Sequence, residues 1–237
     1  MKPLEGRLAV VTGASRGIGL AASEALAAEG AVVVRLARSL TAGARGPFRD
    51  VPCDLADAAA VVRATTTILG EWGTPEILVQ NAGTFTLKPL DATDPAELDA
   101  SYALNVRAPF LVAQAFLPAM RAAGRGIHVT IGITCDHVAL PENGAYTVGK
   151  YGVRALHEVL SAEYRGSGVR FSLISPGATD TPLWDPLDPD HRPGFPRRAE
   201  MLRAEDVADA VRYVATRPPH ASVDWLRLSP VRRPGHP

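Results

Sequence analysis

The sequence predicts an α/β fold in which a parallel sheet lies between two layers of helices. Short β-branched runs recur along the chain, Ala- and Leu-rich segments with helical spacing separate them, and the short runs are continuously apolar rather than alternating. Leu8–Val11, Val32–Leu36, Ile77–Gln80, Val129–Ile133 and Val169–Ile174 are the predicted strands, each apolar enough to be buried on both faces. Ile18–Glu29, Ala58–Gly70, Glu97–Ala122, Tyr146–Arg165 and Ala204–Thr216 carry apolar residues three and four apart and are the predicted helices. Strand–helix alternation makes each crossover right-handed. Ser39–Asp50 holds Gly43, Gly46 and Pro47 and is expected to be a loop where a helix could have stood. Pro176–Pro196 has six prolines in 21 residues, too many for a regular helix or an inner strand, and is expected to form a long loop of the kind used as a lid.

No shift in composition, linker or repeat divides the chain, so residues 1–237 are expected to form a single domain with a flexible substrate loop over about 181–198. A chain of this length buries roughly 70–75% of its unfolded surface without help from disulfides or metals. The hydrophobic share of 46% and charged share of 21% exclude a disordered chain. Twenty-five basic residues balance twenty-five acidic ones, which gives no reason to expect nucleic acid or a membrane surface as a partner. Cys53 and Cys135 are too few for a disulfide framework or a Cys-rich zinc site, and no metal is expected. Met1–Gly6 lacks the apolar stretch of a signal peptide, and no run approaches the ~18 apolar residues of a membrane span. The expected location is the cytoplasm.

The first strand runs into Thr12-Gly13-Ala14-Ser15-Arg16-Gly17-Ile18-Gly19, and a helix follows. Glycines at 13, 17 and 19 permit positive φ and close approach of a phosphate, which the helix N-terminus attracts. A tight turn with glycines for packing is the simpler reading. The position at the junction of the first strand and helix favours a dinucleotide, and no Gly-Lys-Ser/Thr follows to make a P-loop. A carboxylate at the end of the second strand would bind the ribose 2′-hydroxyl of NAD, but Ala37 stands there, followed by Arg38 and Ser39. Arg38 and Arg16 suit the extra phosphate of NADP, unless both are merely solvated charges. NADP is therefore the expected cofactor, with NAD the alternative.

Tyr146 and Lys150 are four apart on a predicted helix, so they share a face. An ammonium beside a phenol stabilises phenolate and readies the tyrosine to exchange a proton with a carbonyl or alcohol oxygen. An amphipathic helix with a surface lysine is the plain alternative.

Taken in order, these residues resemble the short-chain dehydrogenase/reductase family in its compact form, over nearly the whole chain. Thr12–Gly19 resembles its cofactor loop, including Gly13, Ser15, Arg16, Gly17, Ile18 and Gly19. Asp54 with Leu55 resembles its adenine contact, and Asn81-Ala82-Gly83 the segment supporting the sheet beside the cofactor. Asn105 falls at its catalytic asparagine, Tyr146 and Lys150 at its Tyr-x-x-x-Lys pair, and Pro176, Gly177, Thr179 and Thr181 in the segment that packs on the nicotinamide. The resemblance implies a Rossmann-type sheet of about seven parallel strands, a homo-tetramer or homo-dimer, and hydride exchange between NADP(H) and a carbonyl or alcohol. It further implies that Tyr146 is the acid or base, that Lys150 tunes it and holds the nicotinamide ribose, and that Asn105 positions a water linking Lys150 to solvent. Singly, each residue has a plainer role: Asn81 capping a turn, Asp54 capping the helix near Asp57, Asn105 a polar helix position, Pro176 and Thr181 shaping a loop.

One position departs from the family. Its serine stands thirteen residues before the tyrosine, and here that residue is Ile133, which cannot donate a hydrogen bond. Thr134 is the nearest hydroxyl and the candidate substitute, although neighbours on a strand face opposite ways. The departure keeps a second reading open, an NADP-binding protein with weak or no catalysis, acting as a sensor or an assembly subunit. Thr84, Phe85, His137, Val138, Leu183 and Trp184 are candidate substrate-pocket residues, with His137 read as structural rather than acidic.

Overall fold

The computed structural model describes residues 1–133 and 140–231. The apolar runs become inner strands because no other place hides both of their faces from water. In chain order the strands are β1 (Leu8–Thr12), β2 (Val32–Ala37), β3 (Gly43–Arg45), β4 (Phe48–Pro52), β5 (Ile77–Gln80), β6 (Gly126–Ile131), β7 (Val169–Pro176), β8 (Thr179–Asp180), β9 (Leu202–Arg203) and β10 (Trp225–Leu228). Eight form the main sheet in the order β10-β7-β6-β5-β1-β2-β4-β3, while β8 and β9 pair separately. Every pairing of the main sheet is parallel except β3 with β4.

Helices α1 (Gly17–Ala28), α2 (Ala58–Glu71), α3 (Pro95–Tyr102), α4 (Ala108–Ala122), α5 (Gly144–Glu163) and α6 (Ala204–Ala215) cover the sheet. Leu26 of α1 and Val211 of α6 bury against Val11, Val33 and Ile174 on one face. Ile68 of α2 and Phe116 and Leu117 of α4 bury against Val10, Val34 and Leu78 on the other. The predicted helix Glu97–Ala122 is interrupted by a π-helical turn at Ala103–Arg107, where the Ala108 N–H reaches back to the Ala103 carbonyl. Pro109 has no N–H to return to the carbonyl of Asn105, which favours this irregularity. The whole stretch Pro95–Ala122 has the length and composition of a membrane span, but half of its most apolar window is buried inside the fold.

Two strands were not foreseen at the second strand's edge. The expected loop at Ser39–Asp50 is a hairpin in which Arg45 faces Phe48 across Gly46-Pro47. Gly46 supplies the positive φ (+57°) such a two-residue turn needs. β4 then lies parallel to β2 although its sequence, Phe-Arg-Asp-Val-Pro, is polar. Its buried carboxylate is matched: Arg35 of β2 donates from Nε and Nη2 to Asp50 at 2.7 and 2.8 Å, and its guanidinium lies 4.4 Å from the Phe48 ring centre. The sheet thus has seven parallel strands, with β3 added antiparallel at the edge.

Beneath α5, His128 of β6 and His157 share an aromatic cluster with Phe171. Burial pushes His128 down to about 3, aided by His157. Burial also lowers His157 to about 4, against the pull of the Glu158 and Asp224 carboxylates. In the unfolded chain both would protonate near 6.5, so between that pH and about 4 the unfolded state binds more protons and stability falls on acidification. Urea unfolding is expected to show each histidine removing up to about 1.4 kcal/mol per pH unit over that window, with His157→Gln flattening the slope. A flat profile from pH 6.5 to 4.5 would contradict this assignment.

Candidate active site

Strand order reverses between β1 and β5: from β1 the chain builds outward to β2 and β4, then returns to build β5, β6 and β7 on the other side. Ligands of open α/β sheets sit at the carboxyl ends of the strands beside such a reversal. Here the two strand ends are clasped by side chains. The Thr12 hydroxyl accepts from the Asn81 and Ala82 N–H groups at 3.0 and 3.1 Å. The Asn81 amide donates to the carbonyls of Thr12 and Gly13 at 2.9 and 3.2 Å. Gly13 has φ +66°, and a Cβ there would lie 2.8 Å from Ala82 Cα. Gly19 does not line the cleft; a Cβ there would strike the Gly13 carbonyl and come 2.5 Å from the Asn81 amide, so this glycine lets α1 sit close on the loop.

Above the clasp runs a cleft of about 410 Å³. All the other predicted cofactor residues line it: Ser15, Arg16, Gly17 and Ile18 after β1, Arg38 and Ser39 after β2, Asp54 and Leu55 after β4, and Ala82 and Gly83 after β5. Gly13, Asn81, Tyr146, Lys150, Pro176, Gly177, Thr179 and Thr181 complete that set. Arg16 occupies the cap position of α1 without a side-chain cap, so the positive end of that helix is left for an anion. Arg16 and Arg38 make no ion pair among the described residues. Asp54 accepts from the Ala56 N–H at 3.0 Å, whereas the helix cap of α2 is Asp57. Cys53, which is not among the predicted cofactor residues, also lines this end; burial pushes its thiol up to about 11, so it is no nucleophile at neutral pH.

Across β6, α5 presents Tyr146 and Lys150 one turn apart, 5% and 7% exposed, and both face the cleft. The Lys150 ammonium stands 5.7 Å from the phenol ring centre and donates to the Ile131 carbonyl at 3.4 Å. Asn105 is buried behind the cleft rather than on its wall. Its oxygen accepts from the Thr84 N–H, and its nitrogen donates to the Thr84 carbonyl and to Ser101 Oγ, all within 3.0–3.1 Å. Ser101 in turn donates to the Ala145 carbonyl at 2.8 Å. The amide therefore braces the loop after β5 against the start of α5.

β6 ends at Ile131, two residues before the predicted end, so strand alternation does not govern Ile133, which lines the cleft. Thr134, His137 and Val138 lie outside the described residues. Thr84, Phe85, Leu183 and Trp184 line the cleft. The Phe85 ring meets Tyr146 edge-on at 4.6 Å and Trp184 at 5.4 Å. The proline-rich segment forms a 3₁₀ turn at Pro182–Leu187, and Arg198, at the end of the expected loop, holds it. Arg198 donates to Asp180 at 2.6 Å and to Asp185 at 2.7 Å, and Asp190 lies at 3.9 Å. Three aspartates at 180, 185 and 190 followed by an arginine were the available signal.

A family model described as short chain dehydrogenase matches residues 7–192. A D-threitol dehydrogenase of Mycolicibacterium smegmatis is 38% identical over 195 residues, covering 77% of this chain and 75% of that protein. A 2-(R)-hydroxypropyl-CoM dehydrogenase of Xanthobacter autotrophicus is 34% identical over 227 residues, covering 88% and 91%. The crystal structure of a metagenomic short-chain oxidoreductase in complex with NADP superposes with a TM-score of 0.82 at 33% identity, over 98% of this chain and 100% of that one.

Asn81→Ala would leave two carbonyls of the turn unpaired. It is expected to lower stability by about 1–3 kcal/mol and to weaken cofactor binding, read by urea unfolding and cofactor fluorescence. Unchanged values for both would show that the clasp does not hold the turn.

Proposed function

This chain belongs to the short-chain dehydrogenase family, oxidoreductases of alcohol and carbonyl groups that use a nicotinamide cofactor, and on that premise we propose an NADP(H)-dependent enzyme whose proton donor is Tyr146. The observation that carries this reading is the buried Tyr146–Lys150 pair on the wall of the same cleft that has Arg16 and Arg38 at its other end. The cleft suits the cofactor, since glycine replaces side chains where its loop is tightest and the end of α1 is open to an anion. When bound, the cofactor supplies or accepts a hydride at its nicotinamide ring.

The chain's own residues do the rest. Arg16 and Arg38 hold the 2′-phosphate, and the first turn of α1 holds the pyrophosphate. Asp54 and Leu55 flank the adenine, while Pro176, Gly177, Thr179 and Thr181 support the nicotinamide. Tyr146 gives its phenolic proton to the carbonyl oxygen in reduction and takes it back in oxidation. Lys150 stabilises the phenolate and holds the ribose hydroxyls. Asn105 braces Thr84 and Ser101 with its amide and, as the resemblance implies, positions the water that links Lys150 to solvent. Thr134 supplies the hydrogen bond that Ile133 cannot.

A single domain carries both subsites, and the segment over 181–198 covers the substrate. Exposed Phe110 on α4 and Val148, Tyr151 and Val159, which share one face of α5, support assembly as a homo-dimer or homo-tetramer. Ile133 on the cleft wall favours the second reading, a cofactor-binding sensor with little catalysis.

Tyr146→Phe is expected to keep cofactor affinity and lose about 10²–10⁴ in kcat, and Thr134→Val to lose about 10²–10³, both in steady-state reduction assays. Cofactor binding without turnover of any carbonyl or alcohol would favour the sensor. Arg38→Asp is expected to shift the kcat/KM ratio from NADPH toward NADH; an unchanged ratio would remove the NADP preference.

A further inference from the structure

The two ends of the cleft differ in chemistry. Three of its charged wall residues, Arg16, Arg38 and Asp54, lie at the ends of β1, β2 and β4, where the dinucleotide's phosphates and adenine belong. At the opposite end, beyond β5 and β6, the one charged side chain among the described lining residues is Lys150, buried on the Ile131 carbonyl. Among the described residues, the wall at this end includes Thr84, Phe85, Ile133, Leu183 and Trp184, apolar but for Thr84. The rings form a chain of edge-on contacts, Tyr146 to Phe85 at 4.6 Å, Phe85 to Trp184 at 5.4 Å and Trp184 to Phe195 at 6.2 Å.

This wall is held in place by charges directed away from it. Arg198 binds Asp180 and Asp185, which flank the turn carrying Leu183 and Trp184, and also reaches the Thr181 carbonyl at 3.4 Å. The Trp184 N–H bonds the same carbonyl at 3.0 Å. Behind Phe195, Arg192 lies 4.6 Å from the ring centre and pairs with Glu142 at 3.2 Å. Asp180, Asp185 and Asp190 are thus committed to Arg198 and Asp188 to His191, while Trp184 lines the cleft.

Resting on the proposed carbonyl chemistry at Tyr146, we propose that the substrate is an uncharged aryl or bulky alkyl ketone, or the matching secondary alcohol, seated against Phe85 and Trp184, with Arg198 as the positioning residue of that wall. An aromatic substituent gains edge-to-face contacts there. A carboxylate or several hydroxyls would lose water against the Phe85, Ile133, Leu183 and Trp184 side chains, none of which is a charged partner.

The test compares acetophenone with benzoylformate, which adds a carboxylate to the same ring, and 1-phenylethanol with D-threitol. The uncharged aryl member of each pair is expected to have the higher kcat/KM by about 10–100-fold. Trp184→Ala should raise the KM for acetophenone about 10-fold with little change in kcat, and Trp184→Phe should restore it to within about 3-fold. Arg198→Gln should raise the same KM without moving the pH profile of kcat. Binding is read separately, by saturable quenching of indole fluorescence by acetophenone with oxidised cofactor present and Trp184→Phe as the blank. Quenching without turnover supports this pocket and counts against the proposed chemistry. Preference for benzoylformate or D-threitol, an unmoved KM in Trp184→Ala, or no Trp184-dependent quenching overturns the proposal.

Discussion

The site depends on a clasp between two strand ends. Thr12 and Asn81 exchange four hydrogen bonds with each other's strand end and turn, and thereby fix the distance between β1 and β5 at the reversal of the sheet. Gly13 and Gly19 fit only because neither carries a Cβ, since each would meet the opposing turn. With that geometry set, the end of α1 points at the cleft, and the loops after β5 and β6 are brought beside it. The clasp uses backbone carbonyls that would otherwise be costly to leave unpaired at a buried turn, so structure and cofactor space are secured by the same bonds.

Charge that enters the fold is paired at two places, on β4 and in the segment after β8. Buried Asp50 on the half-exposed β4 is matched by Arg35, and Asp180 and Asp185 converge on Arg198. Asn105 spends its amide on Thr84 and Ser101, which fixes the loop carrying Phe85 relative to the helix carrying Tyr146. The open arginines 16 and 38 line the part of the cleft that suits a phosphate.

The inner strands were legible in the sequence because a strand buried on both faces must be apolar at every position, as Ile77–Gln80 is almost throughout. The glycine turn and the Tyr146–Lys150 spacing were legible because local geometry alone brings those residues together. β4 was not, since Phe-Arg-Asp-Val-Pro looks polar until Arg35 of another strand is set beside Asp50. β10 was missed because an edge strand alternates between exposed and half-buried residues and needs no continuous apolar run. The grip of Arg198 on its aspartates accompanies the parallel pairing of β8 with β9, which two-residue segments do not announce. Asn105 could be located by spacing, but its hydrogen bonds arise from the π-helical turn and the packing of Gly149 against it.

On the proposed reading, Tyr146 protonates the substrate oxygen from the wall of the cleft whose residues would hold the nicotinamide cofactor. Reduction of a ketone with NADPH carrying deuterium at both nicotinamide C4 positions tests this most directly. Deuterium is expected on the carbinol carbon of a single product enantiomer, with loss of that product in Tyr146→Phe at retained cofactor binding. Product without deuterium, or equal labelled product from Tyr146→Phe, would contradict it.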